Sequence, residues 1–299
     1  MYKILCKIIC KFRNLGLPVP DKLFLGVSYY LSFGSKLNLH SPKSYNEKLQ
    51  WLKLYDRNPL YHILVDKLKV KEYVKNKIGE EYVIKTLKVW ESVDDINLED
   101  LPERFVLKTT NGGGNTGVAI CTDKSHFNLE EVKKKLQWSL KFDIYKYSGE
   151  WAYKGVTKKI IAEEYIEPRF GMNDLPDYKF FCVNGEVKAL FVATERQNPS
   201  EEVKFDFFDS NFNHLPFRQG HEHAKILPQK PVNFDRMKQI ASVLSQGIPH
   251  VRVDLYDLGD KVLFGEFTMY HFGGFVPFDP IEWDKRFCDI IGLSDLNCR

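Results

Sequence analysis

Phe105-Val-Leu-Lys108-Thr-Thr-Asn111-Gly-Gly-Gly114-Asn-Thr-Gly117-Val-Ala-Ile-Cys121 is the stretch on which the fold turns. Two short apolar runs flank a glycine-rich turn, which predicts a β-hairpin whose loop backbone can approach phosphate oxygens and direct its N–H groups at them. Taken letter by letter, Gly112, Gly114 and Gly117 satisfy G-x-G-x-x-G. A dinucleotide fold needs a helix after that loop, however, and Val118–Cys121 has the character of a strand. A P-loop needs Lys followed by Ser or Thr where Val118 stands, and a protein kinase needs Lys in place of Cys121 together with H-R-D and D-F-G motifs that this chain lacks. Here the lysine comes first. Val106 and Lys108 share one face of their strand, which puts an ammonium at the mouth of the glycine turn, and a cation beside a nest of N–H groups suits a polyphosphate. The plainer alternative is a decorated hairpin with an ordinary exposed lysine.

Two later segments carry further chemistry. Ile160-Ile-Ala-Glu163-Glu164-Tyr165-Ile166-Glu167 is a strand ending in carboxylates, and Asp177-Tyr-Lys179 opens another in which Asp177 and Lys179 share a face. Asn184-Gly185 then supplies a tight turn. Near the C-terminus, Arg252, Asp254 and Tyr256 lie on one face of a strand. After the turn Asp257-Leu-Gly-Asp260, the expected returning face holds Phe264, Glu266 and Thr268. If the hairpin brings Asp254 to Glu266, two carboxylates and an arginine converge, and such oxygen ligands suit Mg²⁺ shared with phosphate oxygens. For each pair taken alone, a surface or structural ion pair is the competing reading. His221-Glu-His223 puts two histidines on one face with no third ligand in evidence, so a solvated loop is preferred over a metal site.

The chain has 299 residues, enough for a sizeable core, with 43% hydrophobic and 28% charged residues, which excludes disordered and fibrous classes. Lys and Arg (43) nearly balance Asp and Glu (40), leaving +3, too even for a protein whose main partner is nucleic acid. Six scattered cysteines without a zinc-type spacing suggest free thiols in a reducing, cytoplasmic setting. No apolar run approaches a membrane span. The basic, apolar start Met1–Pro20 is expected to be an amphipathic helix docked on the body, with peripheral contact at the inner membrane face as the alternative. Ser44-Tyr-Asn-Glu47 is a capping box ahead of Leu49, Leu52 and Leu54, and further helices are expected over 59–76, 129–145, 234–244 and 281–290. Strands are expected over 104–110, 117–121, 159–165, 177–183, 187–194, 203–209, 250–256 and 261–269. Strands paired in hairpins make this an α+β fold, not a doubly wound parallel sheet.

Together these pieces resemble the ATP-grasp superfamily, and most closely its TupA-like branch, named for teichuronopeptide synthesis and associated with surface polysaccharides. The resemblance rests on Lys108–Gly114, Asp177–Gly185 and Arg252–Thr268, joined by Ser41–Trp51, and covers roughly residues 40–280. It implies two α+β subdomains clamping ATP, over 81–168 and 169–299, behind a helical region 1–80. Lys108 is then expected on the α- and β-phosphates, with Gly112, Gly113, Gly114 and Gly117 closing over the β- and γ-phosphates. Glu163, Glu164, Tyr165 and Ile166 form the adenine hinge, Asp177 takes the ribose hydroxyls, and Lys179 faces the phosphates. Asp254 and Glu266 hold Mg²⁺, with Thr268 in place of the usual Asn ligand. Arg252 stabilises the transferring phosphoryl group, and Tyr270, His271 and the Gly273-Gly274 turn are expected to contact the acceptor. Lys67, in Asp66-Lys67, matches a further nucleotide-contacting lysine.

The implied activity is an ADP-forming, ATP- and Mg²⁺-dependent amidoligase. It joins a uronic-acid carboxyl of a surface polysaccharide, or its precursor, to an amino acid or other amine through an acyl-phosphate. A sugar kinase of the same fold is the nearest rival. A glycosyltransferase ranks lower because Asp206-Phe-Phe-Asp209 is not an Asp-x-Asp site, and a non-catalytic nucleotide- or glycan-binding module has no use for metal-site carboxylates.

Overall fold

A computed structural model describes residues 2–112, 117–168, 175–196 and 202–296. Helices α1 (Tyr2–Asn14), α2 (Asp21–Phe33), α3 (Tyr45–Tyr55), α4 (Tyr61–Leu64) and α5 (Lys69–Ile78) precede the first strand. Strands β1 (Thr86–Trp90), β2 (Phe105–Thr109), β3 (Val118–Cys121) and β4 (Ile160–Glu164) form an antiparallel sheet in the order β1-β4-β2-β3, interrupted in sequence by α6 (Leu129–Lys141) and α7 (Ile144–Ser148). A second antiparallel sheet contains β5 (Asp177–Val183), β6 (Glu186–Thr194), β7 (Lys204–Asp209), β8 (His214–Leu215), β10 (Val251–Asp257) and β11 (Val262–Thr268), in the order β11-β10-β5-β6-β7-β8. β9 (Arg218–Gln219) pairs with β12 (Phe278–Asp279), and α8 (Phe234–Leu244) and α9 (Trp283–Ile290) complete the chain. The α+β class with antiparallel sheets is the one expected from the sequence, and no described helix is long and apolar enough to cross a membrane.

Strand alternation gives each sheet one packed face and one face available for chemistry. In the first sheet Phe105, Leu107, Ile160 and Ala162 bury themselves with Leu136 of α6, leaving Val106, Lys108, Ile161 and Glu163 on the other side. In the second, Phe180 packs towards Phe234 of α8, whereas Phe181, Phe191 and Phe207 form an aromatic layer with Tyr45 of α3 and Phe287 of α9. Lys179 and Asp254 stand directly across from each other on that latter face, beyond the aromatics. An isolated parallel bridge from Val83, ahead of β1, to Phe264 of β11 joins the two sheets at their seam.

Three expectations are corrected. The helix expected over 59–76 is two helices. Asp66 takes the N–H groups of Leu68 and Lys69, a local hydrogen-bonding alternative that ends one helix and starts the next. The helix expected over 129–145 likewise stops at Lys141, and Asp143 caps α7 by accepting from the Lys146 N–H. Phe264 does not share a face with Glu266. The register steps from Asp254↔Glu266 to Leu255↔Phe264, leaving Gly265 as the extra residue of a β-bulge, so Phe264 turns into the core beside Phe267. A side chain at Gly265 would lie 3.2 Å from the Asp254 carbonyl oxygen and 3.2 Å from the Tyr256 ring.

The predicted capping box at Ser44 is formed in full, with the Ser44 side chain accepting from the Glu47 N–H and Glu47 accepting in return. α1 is docked through Arg13, which pairs with Asp21 at 2.8 Å and lies over the Phe24 and Tyr145 rings, while Ile4, Ile8 and Phe12 stay exposed. Cys121, Cys182 and Cys288 are buried, and Cys121 and Cys182 are free thiols.

Phe181 is fully buried between α3, α9 and the sheet. Phe181→Ala is therefore expected to cost about 3–5 kcal/mol in urea unfolding, and a loss under about 1 kcal/mol contradicts this account of the core.

Candidate active site

The site is built from the two faces left free of core packing. On the first sheet, Lys108 reaches Glu163 at 2.6 Å, and Lys71 of α5 meets the other oxygen of the same carboxylate at 2.5 Å. Burial disfavours charge on all three, yet the mutual attraction keeps Glu163 below the usual carboxylate range and Lys108 above the usual lysine value. Lys71 also donates to the Ile84 carbonyl and Thr86 Oγ1, and burial leaves its pKa lowered.

On the second sheet, Arg252 grips Asp254 with two bonds, Nε to Oδ1 and Nη2 to Oδ2, both 2.7 Å. Lys179 bridges Asp254 (2.5 Å) and Asp177 (2.6 Å), and Arg196 approaches Asp177 at 3.0 Å. Asp177 Oδ1 is buried and lacks a hydrogen-bond partner among the described residues. Glu266 is the open carboxylate of the set: its side chain is 30% exposed and stands 3.4 Å from Lys67 and 3.7 Å from Arg252.

Lys67 is what joins the halves. Its backbone N–H donates to the Thr110 carbonyl, and its ammonium donates to the Gly112 carbonyl while facing Glu266 across the seam. The glycine loop is pinched at its neck. Thr109 and Ser139 hydrogen-bond at 2.7 Å, and a Cβ at Gly112 or Gly117 would fall 2.7 or 2.2 Å from Thr109 Oγ1. These two glycines are thus demanded by packing as well as by any ligand. Gly113 and Gly114 lie outside the described residues. A small cavity at the seam has apolar walls from Val70, Val83, Ile84 and Phe264, with Lys67, Lys71, Lys108 and Glu163 at its polar side.

The expected site residues therefore do not all stand alike. Lys108, Glu163, Asp177, Lys179, Arg252, Asp254 and Glu266 converge. Thr268 pairs in register with Arg252 at the far end of β11. Glu164 is exposed at the end of β4, Tyr165 lies beneath Arg104, and Ile166 is half-buried; none of the three lines the cavity at the seam. His271 is corrected. It is 1% exposed, beneath the cleft, where Nδ1 accepts from Arg252 at 2.8 Å and the ring packs on Phe181 and Phe191. Burial and then Arg252 push its pKa well below the usual value, so it is a neutral positioning group for Arg252 and not an acceptor contact. Tyr270 and the Gly273-Gly274 turn are buried too, held by Gln50 and Lys53 of α3 through the Gly273 and Gly274 carbonyls. Lys71 and Arg196 were not legible in the sequence, because neither lies in a motif and only tertiary packing brings them in.

Asp254 and Glu266, at paired positions on adjacent strands, form an all-oxygen donor set that fits Mg²⁺. Asp254 spends both oxygens on Arg252 and Lys179, so it enters such a site by releasing one of them. Glu266 is open.

The family model of the TupA-like ATP-grasp proteins matches residues 47–292. The chain belongs to the TupA-like ATP-grasp family. Among solved structures it is similar to D-alanine–D-alanine ligase from Helicobacter pylori (13% identity, 85% of this chain and 70% of that one, TM-score 0.46). It is also similar to the ligase of that name from Bacillus anthracis (13% identity, 87% of this chain, TM-score 0.43), of whose length the ATP-grasp chain matches 63%. A third is N5-carboxyaminoimidazole synthetase from Staphylococcus aureus (17% identity, 74% and 50% of the two chains, TM-score 0.39). The comparison with curated proteins finds no match.

The charge network makes a pH prediction. Burial alone would raise the Glu266 carboxyl, but Lys67, Lys179, Arg252 and Lys108 outweigh it and hold it at about 2. A carboxyl held below its unfolded value of about 4.3 contributes stability that is full above that pH and is lost as the pH falls towards the folded value. Urea unfolding of the parent chain and Glu266→Gln, from about pH 6 to about pH 3, is expected to show the parent-minus-variant difference falling only below about pH 4.5. A difference that stays flat over that range contradicts the network.

Proposed function

We propose that this protein is an ATP- and Mg²⁺-dependent ligase that joins a carboxylate to an amine, forming ADP and phosphate. The carboxylate is taken to be a uronic acid of a surface polysaccharide or its precursor, and the amine an amino acid or a related compound. One observation carries the reading: Lys67 and Lys108, on the glycine-loop side, share a seam with Glu266, Asp254 and Arg252 on the facing sheet. The cations there (Lys67, Lys71, Lys108, Lys179, Arg196 and Arg252) outnumber the carboxylates, as a site for a polyanion requires.

Within this reading, Lys108 and Lys67 bind phosphate oxygens, and the walls of Val70, Val83, Ile84 and Phe264 receive the base beside the backbone of Glu163–Ile166. Asp177 Oδ1, buried and without a hydrogen-bond partner among the described residues, supports a role as acceptor for a ribose hydroxyl. Glu266 and Asp254 would hold Mg²⁺, with Thr268, two residues further along β11, as the expected third ligand; when bound, the ion would neutralise charge on the phosphate oxygens. The substrate carboxylate oxygen attacks the γ-phosphorus, the bond to the β–γ bridging oxygen breaks, and ADP departs. Arg252, fixed by Asp254 and His271, offsets charge on the transferring group. The amine then attacks the acyl-phosphate carbonyl carbon, loses a proton to solvent and expels phosphate. No side-chain nucleophile is needed. Use of ATP favours a cytoplasmic setting, and the exposed Ile4, Ile8 and Phe12 of α1 support peripheral contact with the inner membrane face.

ATP, Mg²⁺, a uronic-acid donor and a panel of amines are expected to give ADP and phosphate only when donor and amine are both present. Glu266→Gln should lower kcat by about 10²-fold or more while the fold is kept. Turnover independent of the amine supports the kinase instead, and AMP with pyrophosphate overturns the acyl-phosphate route.

A further inference from the structure

On the sheet face opposite the nucleotide seam, three side chains from three segments converge: Asp206 of β7, His214 of β8 and His223 after β9. One ligand atom from each lies within 4.8 Å of the others. Strand geometry puts them there. Asp206 and Phe208 point to the same side of β7, His214 sits across from Phe208, and Asp206 sits across from Val192, one residue out of phase with the Lys179–Phe191–Phe207 row. We propose that Asp206, His214 and His223 bind a zinc-class transition-metal dication that clasps the outer edge of the second sheet.

Asp206 makes the case first. It is 0% exposed, and among the described residues no lysine or arginine stands within ion-pair distance of it, its charged or chargeable neighbours being the two histidines. A buried carboxylate without a cation is costly. One of its oxygens is satisfied by the Ala224 N–H at 3.2 Å, which fixes the carboxylate as an outer hydrogen bond does for a metal ligand. The other oxygen faces His223 Nδ1 at 3.0 Å and His214 Nε2 at 3.9 Å. A zinc ion with bonds of about 2.0–2.1 Å holds its ligand atoms about 3.3 Å apart, which the two separations from Asp206 bracket, while the two imidazole nitrogens stand within 4.8 Å of each other and would draw together on binding.

His214 makes the case second. Its Nε2 is buried and has no hydrogen-bond partner among the described residues, and it is the one such histidine nitrogen that lies in a cluster with a second histidine and a carboxylate. The side chains of His214 and His223 are 26% and 29% exposed, leaving a further coordination position to water. Two imidazoles with one carboxylate select zinc-like ions over Mg²⁺, so this site and the carboxylate pair at the nucleotide seam take different metals. At His221-Glu-His223, where the sequence favours a solvated loop, the two histidines take different surroundings. His221 is not a ligand, since its ring packs on Phe205 and Phe272, whereas His223 finds its partners on β7 and β8. A metal here ties the segment after β9 to β7 and β8.

The test is a calorimetric titration of untagged, chelator-stripped full-length protein with Zn²⁺ in excess Mg²⁺, alongside Co²⁺ absorption. One equivalent with intense four- or five-coordinate Co²⁺ bands is expected, with affinity at least 10-fold weaker in His214→Gln and in the half-exposed His223→Gln. Binding is expected to persist in Glu266→Gln, which separates this site from the nucleotide seam. Thermal unfolding with and without Zn²⁺ is a second readout, with a rise in midpoint in the parent and none in His223→Gln. Absence of stoichiometric binding, or binding that folded His223→Gln retains at full strength, overturns the proposal.

Discussion

Charge drawn out of water at the seam between the two sheets is the constraint on which the rest of the structure depends. Arg252, Asp254, Lys179 and Asp177 form a continuous run of alternating sign on the second sheet, and Lys108, Glu163 and Lys71 form another on the first. Each group alone carries a large desolvation penalty, and only close pairing and hydrogen bonding repay it. Such networks are weak evidence for stability, since well-packed apolar residues often serve as well. They are a stronger sign of a site whose excess positive charge awaits an anion.

The fold works to hold that arrangement. The bulge at Gly265 turns Phe264 into the core while leaving Glu266 across from Asp254, so one inserted residue separates the apolar wall of the cavity from its acidic rim. α3 buries Tyr45 in the aromatic layer and, one and two turns on, uses Gln50 and Lys53 to hold the carbonyls of the turn after His271. His271 in turn accepts from Arg252. A helix far from the seam in sequence thus reaches the guanidinium through two intermediates, a physical role for the N-terminal region that does not require it to touch substrate.

Much of this was legible in the sequence because strand alternation and turn chemistry are local. Val106 and Lys108 could be put on one face, Asp254 and Glu266 on paired strands, and Asn184-Gly185 in a tight turn from residue order alone. What was not legible depends on tertiary choices. Asp66 and Asp143 broke helices that the apolar period alone runs together. Gly265 gives no sign of being the unpaired residue until β10 and β11 meet. Lys71 and Arg196 are ordinary surface types whose burial is decided by the neighbours they find, and His214 became a companion of His223 only through the register of β7 with β8. His271 looked like an acceptor contact because it follows a metal-site hairpin, but the aromatic layer behind Arg252 claims it.

The central claim is that the lysines of one sheet and the carboxylates of the other act on the same bound magnesium nucleotide. A double-mutant cycle on Mg²⁺-dependent affinity for a non-hydrolysable ATP analogue tests it most directly, using Lys108→Met, Glu266→Gln and the combined variant. The account predicts a coupling energy of about 1 kcal/mol or more between the two positions. Strictly additive losses, or an affinity indifferent to both substitutions, would contradict it.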